Sequence, residues 1–139
     1  MTYTRSTVSN ELFRASGLTL NSSTDTVTAG TLNTLTGSTA GTIDFSRISS
    51  GLLVVNAGNA PTGTNPGLAV FVDVKDAFGN WCLVSNSTAI SGAVLTSSGT
   101  VYGNISASYQ LTDVGRIRWV VTGTGSPSFT GVSFSLYGR

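Results

Sequence analysis

From residue 68 onward apolar and polar side chains alternate with a period of two. That spacing suits an extended strand with one buried face, because successive side chains of a strand point to opposite sides. Leu68, Val70, Val72 and Val74 share one face, and Ala69, Phe71, Asp73 and Lys75 share the other. Asp76-Ala77-Phe78-Gly79-Asn80 has turn formers at both ends and leads into Trp81-Cys82-Leu83-Val84, so 68–84 predicts a β-hairpin. A strand near 100–111 carries Val101, Ile105, Ala107, Tyr109 and Leu111 on one side. Residues 115–122 set Ile117, Trp119 and Val121 against Arg116, Arg118 and Val120, and 128–137 set Val132, Phe134 and Leu136 against Ser133, Ser135 and Tyr137. Gly123-Thr124-Gly125-Ser126-Pro127 between them reads as a second hairpin loop. Weaker strands are expected at 42–48, 51–56 and 89–95.

The sum is about eight strands with regular turn signals, which predicts an all-β fold, an antiparallel β-sandwich or jelly roll. Val70, Val72, Val74, Trp119, Val121, Phe134 and Leu136 are its expected core. The one helix candidate is Asn10–Ser16, a turn or two stopped by Gly17. At 139 residues the chain suits one domain. Folding it buries about two-thirds of its surface, enough for a core without metal or disulfide.

Residues 1–40 differ from the rest. They are dense in Ser and Thr with scattered apolar positions and faint alternation, and read as an extended N-terminal arm preceding a β-sandwich domain at 41–139. An arm of this composition buries too little apolar area to offset its ordering entropy, so it is expected to order against a partner. Leu12 and Phe13 are its apolar anchors, with Arg5 and Arg14 as polar contacts. The competing reading makes these residues the first strands of the sandwich. A second irregular stretch, Asn56 to Gly67, reads as a long loop.

The chemistry available is sparse. Charged residues are only 9% of the chain, with Gly, Ser and Thr filling the deficit, and the net charge of +1 gives no field for nucleic acid or anionic membrane. The absence of His removes the commonest general base and zinc ligand. Asp73 and Asp76 flank a turn, where Asp serves local hydrogen bonds, and with Asn80 they fit no calcium loop. Lys75, the sole lysine, reads as a solvated edge charge, and Arg116 and Arg118 as a partner contact or solvated face. Cys82, the sole cysteine, reads as a small buried hydrophobe. Tyr102 and Tyr137 project from polar faces and are the candidates for stacking on a sugar, whereas Trp81 and Trp119 fall in apolar patterns. No catalytic residue, metal ligand or cofactor-binding residue is therefore expected. The first residues lack the apolar core of a signal peptide, and no apolar run is long enough to span a bilayer as a helix, so synthesis in a cytosol is expected.

Near-zero net charge disperses a free monomer poorly, which points to a surface covered by partners or copies. Val114-Gly115-Arg116-Ile117-Arg118-Trp119-Val120-Val121-Thr122-Gly123, then Ser128-Phe129 and the closing Ser133-Phe134-Ser135-Leu136-Tyr137-Gly138-Arg139, resemble in texture the small head-decoration or minor capsid proteins of tailed double-stranded DNA bacteriophages. The resemblance covers the second half of the chain, Val72 to Val84 included. It implies a cement protein without catalytic residues or cofactor, bound to major capsid subunits on the outside of the virion. It also implies a homo-oligomer, a trimer foremost, with no nucleic acid, membrane or small-molecule substrate as partner. The alternative is a carbohydrate-binding virion or tail-associated module that contacts the host surface.

Overall fold

The computed structural model describes residues 9–21, 42–84 and 94–139. Within them the chain is all-β and every strand pairing is antiparallel. The strands are β1 (Asn10–Asn21), β2 (Ile43–Asp44), β3 (Gly51–Ala57), β4 (Thr62–Lys75), β5 (Trp81–Leu83), β6 (Val94–Leu95), β7 (Gly99–Ile105) and β8 (Val114–Gly138).

The last strand organises the fold. Trp119 and Phe134 both lie on β8, and their rings stack with centroids 5.6 Å apart. Fifteen residues of straight strand would separate them by about 50 Å, so β8 must fold over on itself. It does so through Gly123–Pro127, where Gly123, Gly125 and Ser126 take positive φ. The first half of β8 pairs β4, setting Val121, Trp119 and Ile117 against Leu68, Val70 and Val72. The second half pairs β3, setting Leu136, Phe134 and Val132 against Leu53, Val55 and Ala57. One layer is thus β5 and β6, β4, the first half of β8, and β2. The other is β7, β3, the second half of β8, and β1. The result is a sandwich of the jelly-roll type, with the expected core residues buried between its layers.

Several expectations are corrected. Gly123–Pro127 is a bend and not a hairpin loop, because each flanking half matches its apolar positions to β4 or β3 and not to the other half. Asn10–Ser16 is strand, not helix, because the edge of β8 offers it a backbone ladder. Register shifts between Glu11 and Phe13, Ala15 and Leu18, and Leu18 and Leu20 break the side-chain period, which is why the alternation there is faint in sequence. Part of the expected arm therefore belongs to the sheet, and the rest lies outside the described residues. The expected loop at 56–67 shrinks to 58–61, since β3 runs to Ala57 and β4 begins at Thr62. The strand expected at 100–111 ends at Ile105, where Tyr109 N–H donates to the Ser106 carbonyl in a turn and Ala107 is exposed. Of the strand expected at 89–95, only Val94–Leu95 falls among the described residues. Cys82 is exposed, on the three-residue β5 at the end of the strand order.

Candidate functional site

Two outward faces and one turn carry the polar side chains that the core does not use. On the outer face of the first layer, cross-strand register puts Asp73 opposite Arg116 and Phe71 opposite Arg118. Both arginine Nε atoms donate to the same carboxylate oxygen, Oδ2 of Asp73, at 2.8 Å from Arg116 and 2.9 Å from Arg118. Arg118 Nη2 also reaches Oδ1, at 3.4 Å. The guanidinium of Arg116 lies 4.2 Å from the Trp81 ring centroid and that of Arg118 4.3 Å from Phe71, so each has an aromatic floor. Asp73 is 2% and Arg116 8% exposed.

This arrangement corrects four readings. Asp73 does not serve the turn, Arg116 and Arg118 are not solvated, Trp81 is a half-buried surface platform and not core, and Lys75 lies over the same ring at 5.5 Å instead of standing free in solvent. The signal that could have found the cluster is an Asp inside the Val-rich run Val70–Val74, facing the arginines spaced two apart at 116 and 118. Strand order, which sequence does not supply, was needed to bring them together.

The β4–β5 turn is held by Asp76. Its Oδ1 accepts from the backbone N–H groups of Phe78 and Asn80, both at 2.8 Å, and its Oδ2 from the Asn80 side-chain amide at 3.0 Å. These bonds, Asn80's foremost, hold the Asp76 carboxyl below its ordinary range. Phe78 at the tip is 91% exposed. Asp76 thus does the local work expected of it.

The outer face of the second layer is different in kind. Register aligns Tyr137, Leu52 and Asn104 in one row, Ser135, Val54 and Tyr102 in the next, and Ser133, Asn56 and Thr100 in a third. Leu52, Val54 and Tyr137 are half-buried and Tyr102 is 62% exposed. Asn56 Nδ2 donates to Thr100 Oγ1 at 2.6 Å, so even the polar groups are partly mutually satisfied. No charged residue stands in these rows. A hollow of about 260 Å³ sits where they meet β1, lined by Glu11, Arg14, Val54, Ser133, Ser135 and Tyr137.

Of the expected contact residues, Leu12 and Phe13 are partly buried against the chain's own core. Arg14 is exposed and pairs with Glu11 at 2.9 Å, at the rim of that hollow, which holds the Glu11 carboxyl below its ordinary range. Arg5 lies outside the described residues. Among the described residues no three Cys, Asp or Glu side chains converge as a metal site would require, and no helix is long and apolar enough to cross a membrane.

No family model matches the chain, and no curated protein matches it. Among solved structures it is similar to one described as the structure of Eiger TNF from S. frugiperda, with a TM-score of 0.46 and 8% identity over 94% of each chain.

Proposed function

We propose that this chain is a structural virion protein, a decoration or cement protein that binds major capsid subunits and stabilises a phage head. The observation that supports this reading best is the outer face of the second half of β8, β3 and β7, whose paired rows carry no charged side chain. Rows of Leu52, Val54, Tyr102 and Tyr137 between Ser, Thr and Asn suit close packing against another protein surface: such interfaces are depleted of charge at their centres and enriched in Tyr. Homo-oligomerisation, a trimer foremost, and location on the capsid exterior belong to the same reading.

The test is co-sedimentation with purified capsids of the virus that encodes the chain. Saturable binding, with loss of the bound fraction on Val54→Lys, supports the proposal. Failure to sediment with capsids at micromolar concentrations overturns it.

A second reading is favoured by one feature, the presence of Tyr102 and Tyr137 on the same outward face, separated by β3. A face with two tyrosines suits sugar stacking in a virion or tail-associated carbohydrate-binding module. Glycan binding that is lost on Tyr102→Ala, without capsid binding, would select that reading instead.

A further inference from the structure

The Asp73 cluster holds two guanidiniums for one carboxylate. The other salt bridge among the described residues, Glu11 with Arg14, is one to one. An excess positive charge in a largely desolvated setting is costly, and the aromatic floors of Trp81 and Phe71 offset only part of it. Among the described residues Arg116 spends its Nε on Asp73 and makes no other hydrogen bond, and Arg118 spends Nε and, at long range, Nη2. No fully buried side-chain nitrogen among the described residues lacks a partner. Each arginine side chain keeps a narrow strip open to solvent, 10% of Arg116 and 11% of Arg118, at which the remaining N–H groups can be met.

We propose that Arg116 and Arg118, bridged by Asp73, form a preassembled receptor for one oxyanion, a carboxylate or a phosphate group. Three features make it a receptor and not only a cross-strand clasp. The forks are already ordered by stacking and by a shared acceptor, so little rotamer entropy remains to be lost on binding. The unused donors belong to two adjacent guanidiniums, whose planar geometry matches the paired oxygens of a carboxylate or phosphate. A bound monoanion would balance the second guanidinium. The inference is independent of the capsid reading, since the anion could come from a partner's acidic side chain or from a free phosphate compound.

The experiment uses the purified chain and intrinsic tryptophan fluorescence, which reports the ring under Arg116, together with thermal unfolding. The probes are inorganic phosphate and N-acetylaspartate, each against sodium chloride at equal ionic strength. The expected result is a saturable fluorescence change and a raised Tm with at least one probe, absent with chloride. A response to N-acetylaspartate alone assigns the site to protein carboxylates, and a response to phosphate alone to phosphate groups. Arg118→Gln should weaken binding by about tenfold or more, the loss of one charge-assisted pair. Arg118→Lys, which keeps the charge and removes the fork, serves if the first variant does not fold, and should also bind more weakly. No saturable response to either probe, or an equal response in wild type and a folded variant, overturns the proposal.

Discussion

The two outer faces of the sandwich solve the same problem in opposite ways. The first layer places charged and aromatic side chains outward and ties them to one another, so that Asp73, Arg116, Arg118, Trp81 and Phe71 form a closed cluster. The second layer places Leu52, Val54, Tyr102 and Tyr137 outward among hydroxyls and amides across β8, β3 and β7, with the Glu11–Arg14 pair confined to β1 at its rim. A face whose charges are committed internally has a fixed chemistry and can hold only what fits its remaining donors. A face of neutral groups has no such commitment and suits a broad surface of another protein. What differs is the kind of partner each face can take, although the two share one core.

That shared core carries the largest expected effect. Trp119 stacks on Phe134 across the layers, so Trp119→Ala should remove about 3–5 kcal/mol of stability, read by urea unfolding. A variant of unchanged stability would mean that the layers do not depend on this contact. Next, Asp73→Ala leaves two arginines facing each other without their acceptor and should cost about 3 kcal/mol. Its counterpart on the neutral face, Ser135→Ala, should stay within about 0.5 kcal/mol. Equal costs at the two positions would break the contrast between the faces. Gly115→Ala should cost about 1–3 kcal/mol, because the Phe45 ring occupies the space where the added methyl would sit, opposite Val74 in the first layer.

The smallest effect is in acid. Asp76 at the end of the first layer and Glu11 at the rim of the second both have carboxyls held below their ordinary range in the folded state. Each therefore adds stability above the unfolded carboxylate pKa of about 4 and loses it as pH falls through its lowered folded value. An NMR titration should show both shifts. Added salt should shrink Glu11's, which rests on an ion pair with Arg14, more than Asp76's, which rests on bonds from neutral Asn80. Ordinary values for both would contradict the assigned bonds.

How much of this was legible in sequence follows from where the period of two survives. Leu68–Val74 and Ile117–Val121 sit in unbroken ladders, so their buried face could be read directly. β1 was legible only as the competing reading of the arm, because its register shifts let the adjacent Leu12 and Phe13 both pack against the core, a pattern that mimics a helix face. The bend of β8 was missed because Gly-Thr-Gly-Ser-Pro serves a reversal or a layer crossing equally well, and the choice is made by distant partners on β3 and β4. The same holds for the Asp73 cluster, whose arginines lie more than forty positions from Asp73 in the chain. The neutral face was half visible, since Tyr102 and Tyr137 already projected from polar faces, but only strand order put them on one surface.

The central claim is that the neutral face docks the protein on a capsid. It is tested most directly by co-sedimentation of a Val54→Lys, Tyr102→Lys variant with purified capsids, alongside a Val94→Lys control that places a charge at an exposed position of β6 in the opposite layer. The account predicts that both proteins fold with near wild-type Tm, that the control sediments with capsids as the wild type does, and that the double variant stays in the supernatant. A folded double variant that still decorates capsids at wild-type affinity would contradict it.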